Sequence, residues 1–250
     1  MQDRKTDLGL SEFWVHRNDG VTLFIDRLIP YNLAVPFAHG FARAGLTPNQ
    51  VSIASGAAAL GAFGFSIFLA SDQALAPILL IYGVSQLSYV LDCADGLIAR
   101  ATGTVSKFGE FFDKSMDIAA FTLMFGGFFA YLYRHMMAVG DPEAAARWLL
   151  LGFLFLLART SRFAVWQRLV LEQGAESVER ATGDGRMIAG LKNFMDMQVS
   201  LFGLRLFPIA PDLAYALFAA QTAVLAAVYA RYFSGRETCS TIDREFASQL

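Results

Sequence analysis

The chain is 250 residues long, 55% apolar and 14% aromatic, with 17% charged residues and a net charge of −2. Soluble domains carry about 25% charged residues, so this composition excludes a disordered chain and argues against an ordinary soluble enzyme. The near-zero charge provides no global positive field for nucleic acid. The two cysteines, Cys93 and Cys239, are too far apart in sequence to suggest a disulfide framework or a metal cluster.

At the start, MQDRKTDLGLSEF has no apolar core followed by a small-residue cleavage site and does not read as a secretory signal. Residues 20–44 are apolar but broken by Arg27, Pro30, Pro36 and Arg43. This pattern predicts an amphipathic juxtamembrane helix lying in the interface, because the two prolines disfavour a spanning helix. Ala44–Ser71 then runs 28 residues without Asp, Glu, Lys or Arg, and Gln73–Leu91 runs 19. Ile118–Tyr133 is clean for 16 residues and reaches spanning length if its helix begins near Ser106. Trp148–Ala158 extends toward Val170, a weaker stretch around Met195–Phe207 is interrupted by Asp196 and Arg205, and Leu213–Ala230 is clean for 18. A helix needs about 20 mainly apolar residues to cross the hydrocarbon core. No period-2 pattern recurs, so a barrel is not expected.

The fold class expected is an all-α polytopic membrane bundle of about six transmembrane helices, near 48–70, 74–100, 106–134, 146–171, 188–207 and 212–233. It divides into an interfacial N-terminal segment (1–45), one transmembrane domain (46–233) and a tail (234–250). With those spans, sixteen Lys and Arg fall on one side and three, Arg134, Arg147 and Arg205, on the other. The positive-inside rule then puts both termini in the cytoplasm of a cell inner membrane. Trp14, Trp148 and Trp166 read as interfacial anchors.

One stretch stands apart, Leu91 to Asp117, LDCADGLIARATGTVSKFGEFFDKSMD. Ionisable residues in spanning helices are costly and are usually functional. Asp92 and Asp95 are i, i+3 and share a helix face; Asp113 and Asp117 are i, i+4, with Gly109 one turn earlier on that face. A short connection near 101–105 lets the second acidic helix fold back antiparallel and allows both acidic faces to point into one cavity. Four converging carboxylates repel each other unless a cation intervenes. Oxygen ligands without His or Cys suit Mg²⁺, Mn²⁺ or Ca²⁺ rather than Zn²⁺. Two such ions suit displacement at phosphorus. Gly96 and Gly109 remove side chains where a ligand must approach, and Arg100 supplies a cation for phosphate oxygens.

The series Asp92, Asp95, Gly96, Ala99, Arg100, Gly109, Asp113 and Asp117 places eight positions over 26 residues. It resembles the complete signature of the CDP-alcohol phosphotransferase family. Leu46-Thr47-Pro48-Asn49-Gln50-Val51-Ser52 resembles the opening of that family's first spanning helix. The resemblance implies six spanning helices, a cytoplasmic active site and commonly a homodimer. It implies that Asp92, Asp95 and Asp113 are metal ligands and that Asp117 contacts a second ion and acts as general base. Asn49, Ser52, Gly96, Arg100, Ser106 and Gly109 then line the site for the CDP-linked substrate.

The activity implied is transfer of a phospho-alcohol group from a CDP-linked lipid donor, CDP-diacylglycerol first, to a small alcohol or phosphorylated polyol, with CMP released and Mg²⁺ or Mn²⁺, two ions, required. Some relatives instead join CDP-choline or CDP-ethanolamine to diacylglycerol. Arg159 and Arg162, i, i+3, suit a phosphorylated acceptor if they face the cavity; topology and anionic headgroups also account for cytoplasmic arginines. Two other readings stand beside this one. An intramembrane polyprenyl transferase would show two separate acidic motifs on a longer chain. A divalent-cation transporter would need carboxylates along a path to the far side.

Overall fold

The computed structural model describes residues 9–17, 30–69, 75–173 and 197–234, with side chains described to 161 in the third stretch and to 227 in the last. Among the described residues there are helices and turns and no strand. The helices are α1 (Leu10–His16), α2 (Pro30–Arg43), α3 (Pro48–Phe68), α4 (Leu75–Ala101), α5 (Lys107–Ala138), α6 (Pro142–Gln173), α7 (Met197–Leu206) and α8 (Pro211–Ser234).

Among the described residues, four helical stretches are long and apolar enough to cross a bilayer: α3, α4, α5 and Pro142–Ser161 of α6. The expected fifth span, 188–207, lies partly outside the described residues, and its described part is α7. The apolar portion of α8, Pro211–Ala227, corresponds to the sixth. The chain is an all-α polytopic membrane protein.

Side-chain distribution on these helices is that of a bundle in lipid. The buried face of α3 is Ser52, Ser55, Ala59, Ala62 and Ser66, recurring every three or four residues. Its large residues Ile53, Leu60, Phe65 and Phe68 face outward, as do Leu79, Leu80 and Leu87 of α4 and Leu150, Phe153 and Leu157 of α6. In water such surfaces would be contiguous apolar patches. In lipid they cost nothing, and small residues inside let backbones approach. At Gly127 of α5 the approach to α3 is close: a Cβ would sit 3.1 Å from Phe63 Cα.

Helix α2 is fourteen residues, about 21 Å at 1.5 Å per residue. That is short of the roughly 30 Å hydrocarbon core, in line with an interfacial helix. It runs through Pro36 and buries one face, Ala34, Val35, Ala38 and Ala42, against Val90, Ala94, Leu97 and Ile98 of α4. Fully buried Phe13 of α1 joins this cluster and meets His39 edge-on, 5.7 Å between ring centroids.

A second core joins residues of α3 through α8. Phe121, Phe125 and Phe129 of α5, Phe155 of α6 and Phe218 of α8 contact each other at centroid distances of 4.6–6.3 Å. Trp148 belongs to this core rather than to a lipid-facing belt: it is 4% exposed and meets Phe207 and Tyr215 edge-on. Trp14 is exposed, and the side chain of Trp166 lies outside the described residues.

Two turns determine where the site forms. Gly103 has φ +62° and closes α4: its N–H donates to Arg100 O and the Thr104 N–H donates to Ala99 O. That pair of bonds is the Schellman arrangement, which needs a left-handed residue. Gly45, φ +77°, ends α2 in the same way, with Leu46 N–H donating to Phe41 O. Each turn delivers the chain directly into the next helix.

Candidate functional site

The site begins at the head of α3. Thr47 caps the helix through a reciprocal capping box: its hydroxyl accepts from Gln50 N at 3.4 Å, and Gln50 Oε1 accepts from Thr47 N at 2.8 Å. Pro48 follows at the first turn, where its missing N–H has no cost. This capped start sets the rotation of α3 and brings Ser52 inside, 4% exposed. The Ser52 hydroxyl donates to Asp95 Oδ2. One turn further in, the Ser55 hydroxyl donates to Ser88 O at 2.9 Å and the Ser88 hydroxyl donates back to Ser55 O at 2.9 Å. These reciprocal bonds lock the register of α3 against α4 beneath the acidic residues.

Helix α4 has 27 residues and so is about 40 Å long, longer than the hydrocarbon core. Its last turns, which carry Asp92 and Asp95, therefore extend toward the headgroups. The turn at Gly103 returns α5 beside it. Carboxylate oxygens of Asp92, Asp95 and Asp113 lie within 4.8 Å of one another, Asp95 buried and the other two partly exposed. Asp117, one turn along from Asp113, stands against Asp92. The i, i+3 and i, i+4 spacings thus bring all four carboxylates together from two helices.

Ser106 caps α5: its hydroxyl oxygen accepts from Gly109 N at 3.0 Å. A Cβ on Gly109 would meet that hydroxyl at 3.0 Å and Asn49 Oδ1 at 3.9 Å. Asn49, Ser106 and Gly109 therefore share one corner, between the heads of α3 and α5. The Arg100 guanidinium folds back along α4 over Gly96, where a Cβ would come within 3.2 Å of Nη1. Its Nε and Nη2 are buried and have no hydrogen-bond partner. Buried guanidinium nitrogens without a protein acceptor are suited to a ligand with acceptor oxygens.

Two further residues of the site carry no motif signal in the sequence. Tyr31 of α2 approaches Arg100 and lies near Asp92. Burial pushes its phenol well above the ordinary tyrosine range, with Cys93 acting in the same direction and the Arg100 guanidinium opposing. Lys114 Nζ lies 2.9 Å from Asp117 Oδ2 and 3.2 Å from Asp113 Oδ2. The i, i+3 spacing to Asp117 was a readable signal for that pair. Nothing in the local sequence points Tyr31 at Arg100.

Arg159 lies on the same side of α5 one turn below Asp117: its guanidinium carbon is 4.7 Å from the centre of the Phe121 ring. The side chain of Arg162 lies outside the described residues. Cys93 is buried.

The donor set fits a hard divalent cation. Asp92, Asp95 and Asp113 supply oxygens only, at a mutual spacing that one ion bridges. The cluster already draws a positive side chain, Lys114, between two of its members.

A family model, CDP-alcohol phosphatidyltransferase, matches residues 45–228, from the turn before α3 well into α8. A curated relative, the archaetidylinositol phosphate synthase of Pyrococcus horikoshii, is 41% identical over 90 residues. That match spans 33% of this chain and 40% of the length of the relative.

Proposed function

The chain belongs to the CDP-alcohol phosphatidyltransferase family, and from that premise we propose that it transfers a phosphatidyl-type group from a CDP-linked lipid, CDP-diacylglycerol first, to an acceptor hydroxyl. CMP is the second product. The observation that carries this reading is the convergence of Asp92, Asp95 and Asp113 at the ends of α4 and α5, with Asp117 beside them and unpaired Arg100 nitrogens nearby.

In this reading Asp92, Asp95 and Asp113 would hold one cation and Asp117 would contact a second, Mg²⁺ or Mn²⁺. Bound there, the ions supply charge neutralisation and polarise phosphoryl oxygens. Ser52 fixes the orientation of Asp95 by its hydrogen bond. Arg100 binds phosphate oxygens of the donor. Asn49, Ser106 and Gly109 line the nucleotide side, and Gly96 leaves room for the guanidinium and the donor together. Asp117 takes the proton of the acceptor hydroxyl; that oxygen forms a bond to the phosphorus bearing the lipid, and the bond to the CMP oxygen breaks. A carboxylate is a weak base, so positioning and electrostatics supply much of the rate.

For the acceptor we favour a phosphorylated polyol, inositol phosphate first. The relative is named for making archaetidylinositol phosphate, and Arg159 lies within one turn of Asp117 along α5. The domain is assigned to 46–233, with both termini and the site on the cytoplasmic face as the basic residues demand, and a homodimer as the assembly.

The test is CMP release by purified protein given CDP-diacylglycerol and Mn²⁺, with inositol phosphate, glycerol 3-phosphate, inositol, serine and choline offered singly. Release with inositol phosphate supports the reading. Release with another acceptor moves the pathway. Silence with all of them, and with CDP-choline plus diacylglycerol, overturns the transfer reading.

A further inference from the structure

Lys114 lies inside the acidic cluster at a position that the signature leaves variable. Its ammonium bridges Asp113 and Asp117, at 3.2 and 2.9 Å, and its side chain is 31% exposed. These are the two carboxylates on α5, the helix opposite the Asp92 and Asp95 pair. Four carboxylates face two cationic side chains here, Lys114 and Arg100, which leaves a formal charge of two minus. One divalent cation balances that. A second ion touching Asp117 meets an ammonium already in its place.

We propose that Lys114 is a resident counter-ion that divalent metal must displace from Asp113 and Asp117, and so is a positioning residue that sets how tightly the site loads. This rests on the metal-dependent transfer reading for its setting but not for its test. Like charges at ligand distance repel by more than a tenfold change in binding requires, even at a high effective dielectric. The lysine stem is flexible and already partly in solvent, so the displaced ammonium has a route outward. Without metal, the same contact holds α5 together at its most repulsive point. The lysine thus exchanges tight metal binding for a stable metal-free fold.

The experiment is Mn²⁺ titration followed by electron paramagnetic resonance on purified, metal-stripped protein, comparing wild type, Lys114→Met and Lys114→Arg. We expect Lys114→Met to bind Mn²⁺ at least about tenfold tighter than wild type, and Lys114→Arg to stay near wild type. In EDTA the Lys114→Met variant melts below wild type, and saturating Mn²⁺ closes that gap. Equal or weaker Mn²⁺ binding by a folded Lys114→Met overturns the proposal. A second measurement needs no variant: amine-reactive labelling of Lys114 in wild type, read by mass spectrometry, rises when Mn²⁺ is added. Labelling unchanged by Mn²⁺ overturns it as well. Neither readout depends on turnover, so a protein that releases CMP yet fails both tests refutes the displacement alone.

Discussion

Ser52 and Asp95 stand 43 residues apart and share a buried hydrogen bond, the hydroxyl of α3 donating to the carboxylate of α4. The bond joins the capped start of one membrane helix to the most buried member of the acidic cluster. It gives the Asp95 carboxylate a defined orientation. Removing the hydroxyl leaves the packing almost intact and the carboxylate unguided. Ser52→Ala is therefore expected to lower Mn²⁺ affinity or turnover by about 10- to 100-fold, while Ser52→Thr retains most of both. Metal titration alongside CMP release checks the pair.

The roles of the carboxylates separate by substitution. Asp95→Asn removes a ligand from the three-oxygen group and is expected to lose both Mn²⁺ binding and turnover. Asp117→Asn leaves those three oxygens in place but removes the contact to a second ion, so it is expected to retain part of the Mn²⁺ binding while turnover disappears. Retained wild-type turnover in purified Asp117→Asn would contradict the general-base assignment.

Arg100 is expected to act on the donor. Arg100→Lys keeps the charge but not the planar fork, so KM for the CDP-linked donor rises about tenfold or more, the acceptor KM changing little. Tyr31→Phe removes the hydroxyl next to Arg100 and is expected to shift the donor KM in the same direction by a smaller factor. Initial-rate measurements with each substrate varied in turn distinguish these outcomes.

The fold depends on features remote from the site. Arg134 of α5 donates from Nη1 to Ser66 O at 3.2 Å and to Ile67 O, and from Nη2 to Leu69 O at 3.2 Å. These are carbonyls at the end of α3 that have no partner further along that helix. Arg134→Ala orphans them at about 1–3 kcal/mol. A fall in melting temperature of several degrees is expected, with Mn²⁺ affinity unchanged because the acidic cluster lies at the opposite end of the bundle. Gly103→Ala, at φ +62°, is expected to cost about 1 kcal/mol and to weaken Mn²⁺ binding too, since its turn aligns α4 with α5.

Much of this arrangement is legible in the sequence. The Asp92/Asp95 and Asp113/Asp117 spacings fix which face of each helix is acidic, and helix periodicity alone makes those faces convergent once the connection is short. The uncharged runs located α3, α4 and α5, and the start expected near Ser106 is the observed cap. Contacts between distant elements were not legible. Tyr31 reaches Arg100 only because Ala34, Val35 and Ala38 lay α2 along α4, and small-residue packing leaves no periodic trace of its partner. Trp148 reads as an interfacial anchor because its composition says nothing of Phe207 and Tyr215, which enclose it.

The most direct measurement compares CMP release by wild type and Asp117→Asn, purified in parallel, with CDP-diacylglycerol, inositol phosphate and Mn²⁺, before and after EDTA. The account predicts CMP and a phosphatidylinositol phosphate lipid from wild type, none after chelation, recovery on Mn²⁺ return, and none from the variant at any Mn²⁺ concentration. CMP release that survives chelation, or that proceeds equally in Asp117→Asn, would contradict it.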